Sequence, residues 1–259
     1  MIDRYSRQIS FIEIGEQGQK RLGSSSVAII GCGGLGSIIA TSLVRAGVGK
    51  VKIIDRGFLE YHNLHRQILY DEDDVCSHLP KAVAAERHLK KVNSSVEVEG
   101  IVADLNRRNI EGLLSGADLI LDASDNFETR FVINDTCLKH KIPWVYGGVA
   151  GSYGMSMNII PGETPCLRCV YHGPPAGNIT STHERVGIIG PAPIITGSFQ
   201  SVEAMKILIG VKGINRDLII ADIWKGTFYR IKITLWRECP SCQGKYEFLA
   251  ETTLRGGMK

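Results

Sequence analysis

The chain has 259 residues, a net charge of +3 at pH 7 and a mean hydropathy of +0.01. This length predicts one large domain or two small ones with a sizeable core, and the small net charge, without a long basic run, argues against nucleic-acid binding. The polar N-terminus lacks the apolar segment of a signal peptide, and no apolar run is long enough to cross a bilayer. We therefore expect a cytoplasmic protein with no membrane association, in which seven cysteines indicate metal binding or thiol chemistry before disulfides.

Strand and helix patterns alternate over the first 147 residues. Residues 4–22 suit one or two surface helices that break at Gly15 and Gly18. A strand over 27–30, a helix over 37–46 and a strand over 51–55 then form a βαβ unit. The alternation continues with a helix over 80–92, strands over 96–102 and 117–123, a helix over 128–140 and a strand over 143–147. This order predicts a Rossmann-like, mostly parallel sheet with helices on both faces.

The pattern changes after Gly148. Alternating polar and apolar residues over 153–160 and 217–235 predict longer strands in an antiparallel sheet. Between them lie a segment over 173–182, rich in Gly, Pro, Thr and Ser, and a helix over 197–208. We expect the segment to be a mobile loop. The predicted fold class is therefore α/β, with a parallel sheet that an antiparallel C-terminal part continues.

A glycine-rich turn follows the first predicted strand and contains Gly31, Gly33, Gly34 and Gly36. Small residues between a strand and a helix let the backbone approach a ligand, and the helix N-terminus offers free N–H groups to a phosphate. Asp55 ends the second strand, where a carboxylate usually binds ribose hydroxyls. The alternative is a turn whose glycines serve close packing alone.

Polar residues beyond Asp55 favour ATP over a dinucleotide. Arg66 can neutralise phosphate, and Asn63 or Gln67 can orient it. Lys81 opens a predicted helix and supplies a second cation. An NAD-dependent oxidoreductase has no need of this cluster, and the sequence shows no plausible site for hydride transfer.

Two acids, Asp122 and Asp125, end a further strand of the predicted sheet. Ligands bind at the carboxyl ends of the strands in open α/β sheets. A carboxylate at that edge can hold Mg²⁺ against the phosphates of ATP. Each of these charged residues alone is consistent with a solvated surface side chain, whereas together they predict a site for Mg·ATP.

Four cysteines form two Cys-x-x-Cys pairs far apart in the chain, namely Cys166, Cys169, Cys239 and Cys242. Four thiolates at this spacing predict a closed tetrahedral zinc site that ties the loop around Cys166 to the C-terminal part. The alternative, two redox dithiols, requires a thioredoxin-like context that the sequence lacks.

These motifs resemble the ThiF/MoeB/HesA family, the bacterial and archaeal relatives of ubiquitin-activating enzymes. The resemblance covers nearly the whole chain, from Arg4-Tyr5-Ser6-Arg7-Gln8-Ile9 to the second cysteine pair. Its other motifs are the glycine turn, Ala46-Gly47-Val48-Gly49, Asn63-Leu64-His65-Arg66-Gln67, Lys81 and Asp125-Asn126-Phe127-Glu128-Thr129-Arg130. It implies a single domain with N-terminal helices over 1–26, a nucleotide-binding part over 27–147, an antiparallel sheet, crossover loop and zinc site over 148–245, and a tail over 246–259.

The resemblance implies an adenylyltransferase, which joins a substrate carboxylate to the α-phosphate of ATP and releases pyrophosphate. By resemblance, the site residues are Asp55 on the ribose, Asn63, Arg66 and Lys81 on the phosphates, and Asp125 on Mg²⁺. Arg7 would reach into the ATP site of a partner subunit, which makes a homodimer the catalytic unit; from spacing alone, Arg7 is equally consistent with an exposed helix residue. The family often has a second acid two residues after Asp55, where this chain has Gly57, so we expect altered ribose or adenine contacts.

Two kinds of carboxylate fit this reaction. The favoured one is the C-terminal glycine of a ubiquitin-like sulfur-carrier protein of thiamine or molybdopterin biosynthesis. The alternative is a small-molecule carboxylate in cofactor assembly, as in building the iron-guanylylpyridinol cofactor. Many family members carry a crossover-loop cysteine where this chain has His183, so we expect no loop thioester. A non-catalytic scaffold protein is disfavoured because the charged residues of the site are retained.

Overall fold

The computed structural model describes residues 4–174 and 186–250, whose strands form one eight-stranded sheet in the order β3-β2-β1-β4-β5-β6-β7-β8. The strands are β1 (Ser26–Ile30), β2 (Lys50–Ile54), β3 (Glu97–Ile101), β4 (Leu119–Asp122), β5 (Trp144–Ala150), β6 (Tyr153–Ile159), β7 (Leu218–Asp222) and β8 (Thr227–Ile231). Strands β1 to β5 pair in parallel, whereas β6, β7 and β8 are joined to the sheet by antiparallel pairing. The predicted α/β fold class, mostly parallel with an antiparallel C-terminal part, is confirmed.

Helices cover both faces of the parallel half. They are α1 (Ser6–Ile9), α2 (Gly15–Ser24), α3 (Gly34–Ala46), α4 (Glu72–Cys76), α5 (Lys81–Val92), α6 (Ile110–Leu114), α7 (Phe127–His140), α8 (Leu167–Tyr171) and α9 (Pro191–Ile209). Side chains of β1 alternate between the faces: Val27 and Ile29 join the core formed with α2, α3, α5 and α9, while Ala28 and Ile30 join the core formed with α6, α7 and α8. Such burial on both faces explains why the parallel strands are nearly continuous apolar runs.

Several predicted boundaries were wrong. Helix α2 continues through Gly18, where a Cβ would lie 3.2 Å from Ile14 Cγ2 and 3.6 Å from Ile209 Cδ1. The small residue there allows α2 to pack closely on α9 rather than ending the helix. Helix α9 begins already at Pro191, which occupies its first turn as proline commonly does. The segment predicted as long strands over 217–235 is the hairpin of β7 and β8, and it turns at Gly226 with a φ of +67°.

Some predictions fall outside the described part of the chain. Residues 175–182 of the predicted loop, and His183, are not among the described residues. Within residues 4–174 and 186–250, no helix has both the length and the apolar character that crossing a membrane demands. The division of one domain into four parts stays a prediction.

Candidate active site

The glycine turn joins β1 to α3 under tight steric limits. Gly31 has a φ of +91°, and a Cβ there would lie 2.5 Å from the Ala123 carbonyl oxygen. A Cβ on Gly36 would overlap the Gly31 carbonyl, so close packing alone requires both glycines. Gly33 differs, because its Cβ would make an ordinary contact of 3.6 Å with Gln67 Nε2. Gly33 is also the N-cap of α3 and has no side chain to cap the helix, which leaves first-turn N–H groups for an anion.

The side chains of Asp55 and Lys81 both lie beside Gly57, next to the glycine turn. Both oxygens of the Asp55 carboxylate accept backbone hydrogen bonds of 2.6 Å, one from Cys32 N and one from Gly57 N. A Cβ built on Gly57 would lie 3.1 Å from Asp55 Oδ1 and 3.5 Å from Lys81 Nζ. The structure therefore brings a predicted ribose-binding acid and a predicted phosphate-binding cation to one place. It also shows that a larger residue in place of Gly57 would crowd the carboxylate.

The segment from Asn63 to Gln67 is more buried than its polar sequence suggests. Asn63 and Gln67 are only 4% and 3% exposed. Asn63 Oδ1 accepts from Glu60 N at 3.2 Å and so serves the local turn, whereas the buried Gln67 Oε1 has no hydrogen-bond partner among the described residues. Gln67 therefore keeps an acceptor for a ligand or water.

Arg66 is half-buried at the same turn. Its guanidinium donates from Nη1 to the His62 carbonyl at 2.8 Å, and burial lowers its pKa. A Cβ on Gly34 would lie 3.6 Å from the Arg66 carbonyl oxygen. The backbone of Arg66 thus lies over the N-terminus of α3, so the side chain is close to the predicted phosphate site while bonded to its own turn.

The two acids after β4 have different surroundings. Asp125 is exposed and precedes Asn126, the side chain of which caps α7 by accepting from Thr129 N at 2.8 Å. Asp122 is fully buried, and its Oδ2 lies 3.3 Å from Arg130 Nε. Burial raises the pKa of Asp122, while the Arg130 guanidinium acts in the opposite direction. Of the two acids, Asp125 alone remains accessible to a cation.

Arg130 supports the loop that carries Asp125, and the sequence indicated it only as the last residue of the motif that begins at Asp125. Its Nη2 donates to the Ser124 carbonyl at 2.8 Å and to the Gly147 carbonyl at 3.3 Å. Its guanidinium also lies 5.2 Å from the Phe127 ring centroid and 5.4 Å from that of Tyr146. Arg130 thus joins the loop before Asp125 to β5. The sequence holds one indication of this role, because Arg130 lies in the first turn of the helix that follows Asp122, eight residues after that acid.

Arg7 lies far from the glycine turn of its own chain. Helix α1 packs at the opposite end of α3, where Gln8 Nε2 donates to the Ala46 carbonyl at 2.8 Å and the Tyr5 ring covers Gly47. Because α3 has 13 residues, about 20 Å of helix separates its two ends. The Arg7 side chain is exposed. A contact between Arg7 and the predicted phosphate site therefore requires a second subunit.

The two cysteine pairs meet between α8 and the C-terminal turns. Sulfur–sulfur distances are 3.9 Å for Cys166–Cys169, 3.6 Å for Cys166–Cys239 and 3.7 Å for Cys169–Cys242. Four sulfurs bound tetrahedrally at about 2.3 Å from zinc lie about 3.8 Å apart, so the distances fit that ion. Hydrogen bonds from the Cys166 and Cys242 thiols lower the pKa of Cys169, while hydrogen bonds to Cys169 and Cys242 raise the pKa of Cys166.

A hydrogen-bonded frame surrounds the cysteines. Asp135 on α7 accepts from Ser241 Oγ at 2.6 Å and from Phe248 N at 3.1 Å. Arg168 on α8 pairs with Glu247 at 2.7 Å. These contacts fasten the turns that carry the second cysteine pair to the two helices.

Comparison with known proteins identifies the family. The ThiF family model matches residues 5–242. The sulfur carrier protein ThiS adenylyltransferase of Bacillus subtilis (strain 168) is 45% identical over 253 residues, which are 96% of this chain and 74% of that protein. The SAMP-activating enzyme E1 of Haloferax volcanii is 35% identical over 242 residues, covering 93% of this chain and 88% of that protein.

Solved structures give the same fold. The crystal structure of Escherichia coli MccB with ATP superposes with a TM-score of 0.80 at 22% identity, covering 93% of this chain and 75% of that chain. MccB with MccA-N7isoASN gives a TM-score of 0.81 at 23% identity, with the same coverage of 93% and 75%. The predicted family and the predicted class of enzyme are confirmed: the chain belongs to the ThiF family, and it is an adenylyltransferase.

Proposed function

We propose that this protein uses ATP to adenylate the C-terminal carboxylate of a ubiquitin-like sulfur-carrier protein. The observation that carries the proposal is that Asp55 and Lys81 both lie beside Gly57, with Asp55 held by the N–H of Cys32 in the glycine turn. An acid for the ribose and a cation for the phosphates next to a helix N-terminus suit a nucleoside triphosphate. The Bacillus subtilis relative supports the substrate, since its name identifies it as the adenylyltransferase of a sulfur carrier protein.

The proposed reaction is an in-line displacement. A carboxylate oxygen of the carrier attacks the α-phosphorus of ATP, the bond from that phosphorus to the bridging oxygen breaks, and pyrophosphate leaves with the electron pair. The products are an acyl-adenylate and pyrophosphate. No proton has to move at the reacting carboxylate, so the enzyme acts by positioning and by neutralising charge.

Each residue has a proposed role in that displacement. Asp55 binds the ribose hydroxyls through the lone pairs that its two backbone hydrogen bonds leave open. Lys81 and Arg66 neutralise the phosphates, and Arg66 exchanges the His62 carbonyl for a phosphate oxygen. Asn63 and Gln67 shape the turn that holds Arg66, and Gln67 Oε1 is the acceptor left for a ligand.

We assign Asp125 to Mg²⁺, which when bound offsets the negative charge of the phosphates. The fit rests on exposure, because Asp125 is accessible at the carboxyl edge of the sheet, and on an oxygen ligand, which Mg²⁺ prefers. Arg130 holds the preceding Ser124 carbonyl and thereby fixes the position of the Asp125 backbone.

We further propose that a homodimer is the catalytic unit and that Arg7 completes the partner's ATP site. The support is the location of α1 at the far end of α3 from the glycine turn of its own chain. The four cysteines hold a structural Zn²⁺, which the sulfur–sulfur distances fit.

Since the chain has no cysteine between Cys169 and Cys239, the carrier adenylate passes to a sulfur donor without a thioester in the crossover loop.

ATP–pyrophosphate exchange tests this function. With purified enzyme and a sulfur carrier that ends in Gly-Gly, we expect radioactive pyrophosphate to enter ATP only when the carrier is present. The matched control is the same carrier without its last glycine, which should give no exchange. Exchange that needs no carrier, or that proceeds with a small carboxylate and not with any carrier of the source organism, would contradict the proposed substrate.

A further inference from the structure

Tyr70 lies behind the proposed ATP site and has no part in the function described so far. It is only 7% exposed, and its hydroxyl lies 2.9 Å from the Cys32 carbonyl oxygen and 3.2 Å from the Lys81 carbonyl oxygen. Cys32 belongs to the glycine turn, whereas Lys81 is the first residue of α5. One hydroxyl therefore bridges the two backbone segments that carry the ribose side and the phosphate side of the site.

The Tyr70 hydroxyl closes a ring of hydrogen bonds that passes through Gly57. Cys32 N donates to Asp55 Oδ2 at 2.6 Å, and Gly57 N donates to Asp55 Oδ1 at 2.6 Å. Lys81 N then donates to the Gly57 carbonyl at 2.9 Å. The ring therefore runs from Cys32 through Asp55 and Gly57 to Lys81. The Tyr70 hydroxyl, which contacts the carbonyls of Lys81 and Cys32, closes it.

The hydroxyl is a stable donor in this position. Burial raises the pKa of Tyr70 well above its ordinary value, so the group keeps its proton and the two carbonyls share it. The other links all have backbone N–H donors, and the only side chain among their acceptors is the Asp55 carboxylate, the removal of which would change the charge of the site. Tyr70 is thus the link that a single-atom change can break without altering the charge of the site.

We propose that Tyr70 is a positioning residue, the hydroxyl of which sets the spacing between the glycine turn with Asp55 and the start of α5 with Lys81. This inference rests on the proposed ATP site. It implies that Tyr70 matters most for a ligand that spans both sides. ATP contacts Asp55 through its ribose and Lys81 through its outer phosphates, whereas AMP lacks the outer phosphates.

The test measures Mg·ATP and AMP binding by calorimetry to the wild-type protein and to Tyr70→Phe, without a carrier. We expect Tyr70→Phe to weaken Mg·ATP binding by about 3- to 10-fold, the range of one lost hydrogen bond, and AMP binding by less than about 2-fold. The matched control is Tyr61→Phe, which removes the same atom from a side chain that is 61% exposed and contacts Cys76 Sγ. It should leave both affinities unchanged.

A double-mutant cycle with Lys81→Ala separates positioning from general stability. If the hydroxyl acts through Lys81, Tyr70→Phe has no further effect on Mg·ATP binding once Lys81 is removed. An equal loss for ATP and AMP, the same loss in the Lys81→Ala background, or unchanged ATP affinity in a folded Tyr70→Phe protein would overturn the inference. A wild-type protein that binds no Mg·ATP would instead contradict the proposed function itself.

Discussion

The parallel half and the C-terminal half of this sheet hold their polar residues by different means. At the carboxyl edge of β1, β2 and β4, backbone groups fix the side chains, as where Cys32 and Gly57 donate to Asp55. Beyond β8 the segment over 232–250 forms turns without a helix or a strand. There the cysteine cluster joins residues 73 positions apart, as in Cys166 and Cys239.

The difference concerns what each half needs in order to fold. In the parallel half, strand pairing and apolar cores on both faces position the site before any ligand binds, so binding costs little ordering. In the C-terminal half, irregular backbone has few such contacts, and the zinc that we propose for the four thiolates would supply stability there. We therefore expect the two halves to respond differently to substitution.

Removal of one cysteine should have the largest effect on stability. Cys239→Ser takes away a fully buried thiol of the proposed zinc site, and loss of a structural metal belongs to the substitutions that cost more than about 4 kcal/mol in the free energy of unfolding. For a protein of this size the melting temperature should fall by about 10 °C or more. Differential scanning calorimetry with metal analysis measures both quantities.

The same variant sharpens the comparison. If the halves are separable, Cys239→Ser should lose zinc yet bind Mg·ATP within about 2-fold of the wild-type protein at low temperature. The reason is that Cys32 of the glycine turn and Cys239 pack in different cores, on opposite faces of the sheet. Cys76→Ser, at an exposed free thiol, is the matched control and should keep both zinc and melting temperature. A wild-type protein that contains no zinc would refute the metal assignment.

A methyl group added in the glycine turn of the parallel half should lower stability less than the loss of a cysteine. The Cβ of Gly36→Ala would overlap the Gly31 carbonyl, so the turn must shift, at a cost of about 1–3 kcal/mol in the free energy of unfolding, and Mg·ATP binding should weaken with it. Gly112→Ala in α6 is the control, since apart from its chain neighbours and its own helix backbone no heavy atom of the described residues lies within 4 Å of the built Cβ. There alanine should stabilise by about 0.5–1 kcal/mol. Urea unfolding with equal effects of both substitutions would contradict the packing account of the turn.

Much of the fold was predictable because its signals are local. Strands β1 and β2 are short apolar runs beside glycines. In each Cys-x-x-Cys pair, the two-residue spacing alone predicts that both thiols lie close together. Helices α4, α6 and α8 were missed because each has only 5 residues, too few to show a helical period. Gly18 misled because its smallness serves packing between α2 and α9, which lies in tertiary structure.

The sequence predicted the charged residues of the candidate site better than the residues that hold them in place. The motifs indicate Asp55 and Lys81, which the structure places together. Asp122 has the same sequence context as Asp125, yet it is buried against Arg130, and only the packing of α7 on the sheet decides between them. The hydroxyl of Tyr70 has no sequence signal, because its two acceptors are backbone carbonyls brought close by the fold.

The central claim, an adenylation site at the carboxyl edge of the parallel half, is tested most directly by carrier-dependent ATP–pyrophosphate exchange in Asp125→Ala. Asp73→Ala is the matched control, because it removes an exposed aspartate from α4. We predict that Asp125→Ala lowers the exchange rate by about 10²–10³-fold, the size of losing one charge-stabilising group, while Asp73→Ala keeps the wild-type rate. Wild-type exchange in a folded Asp125→Ala protein would contradict the account.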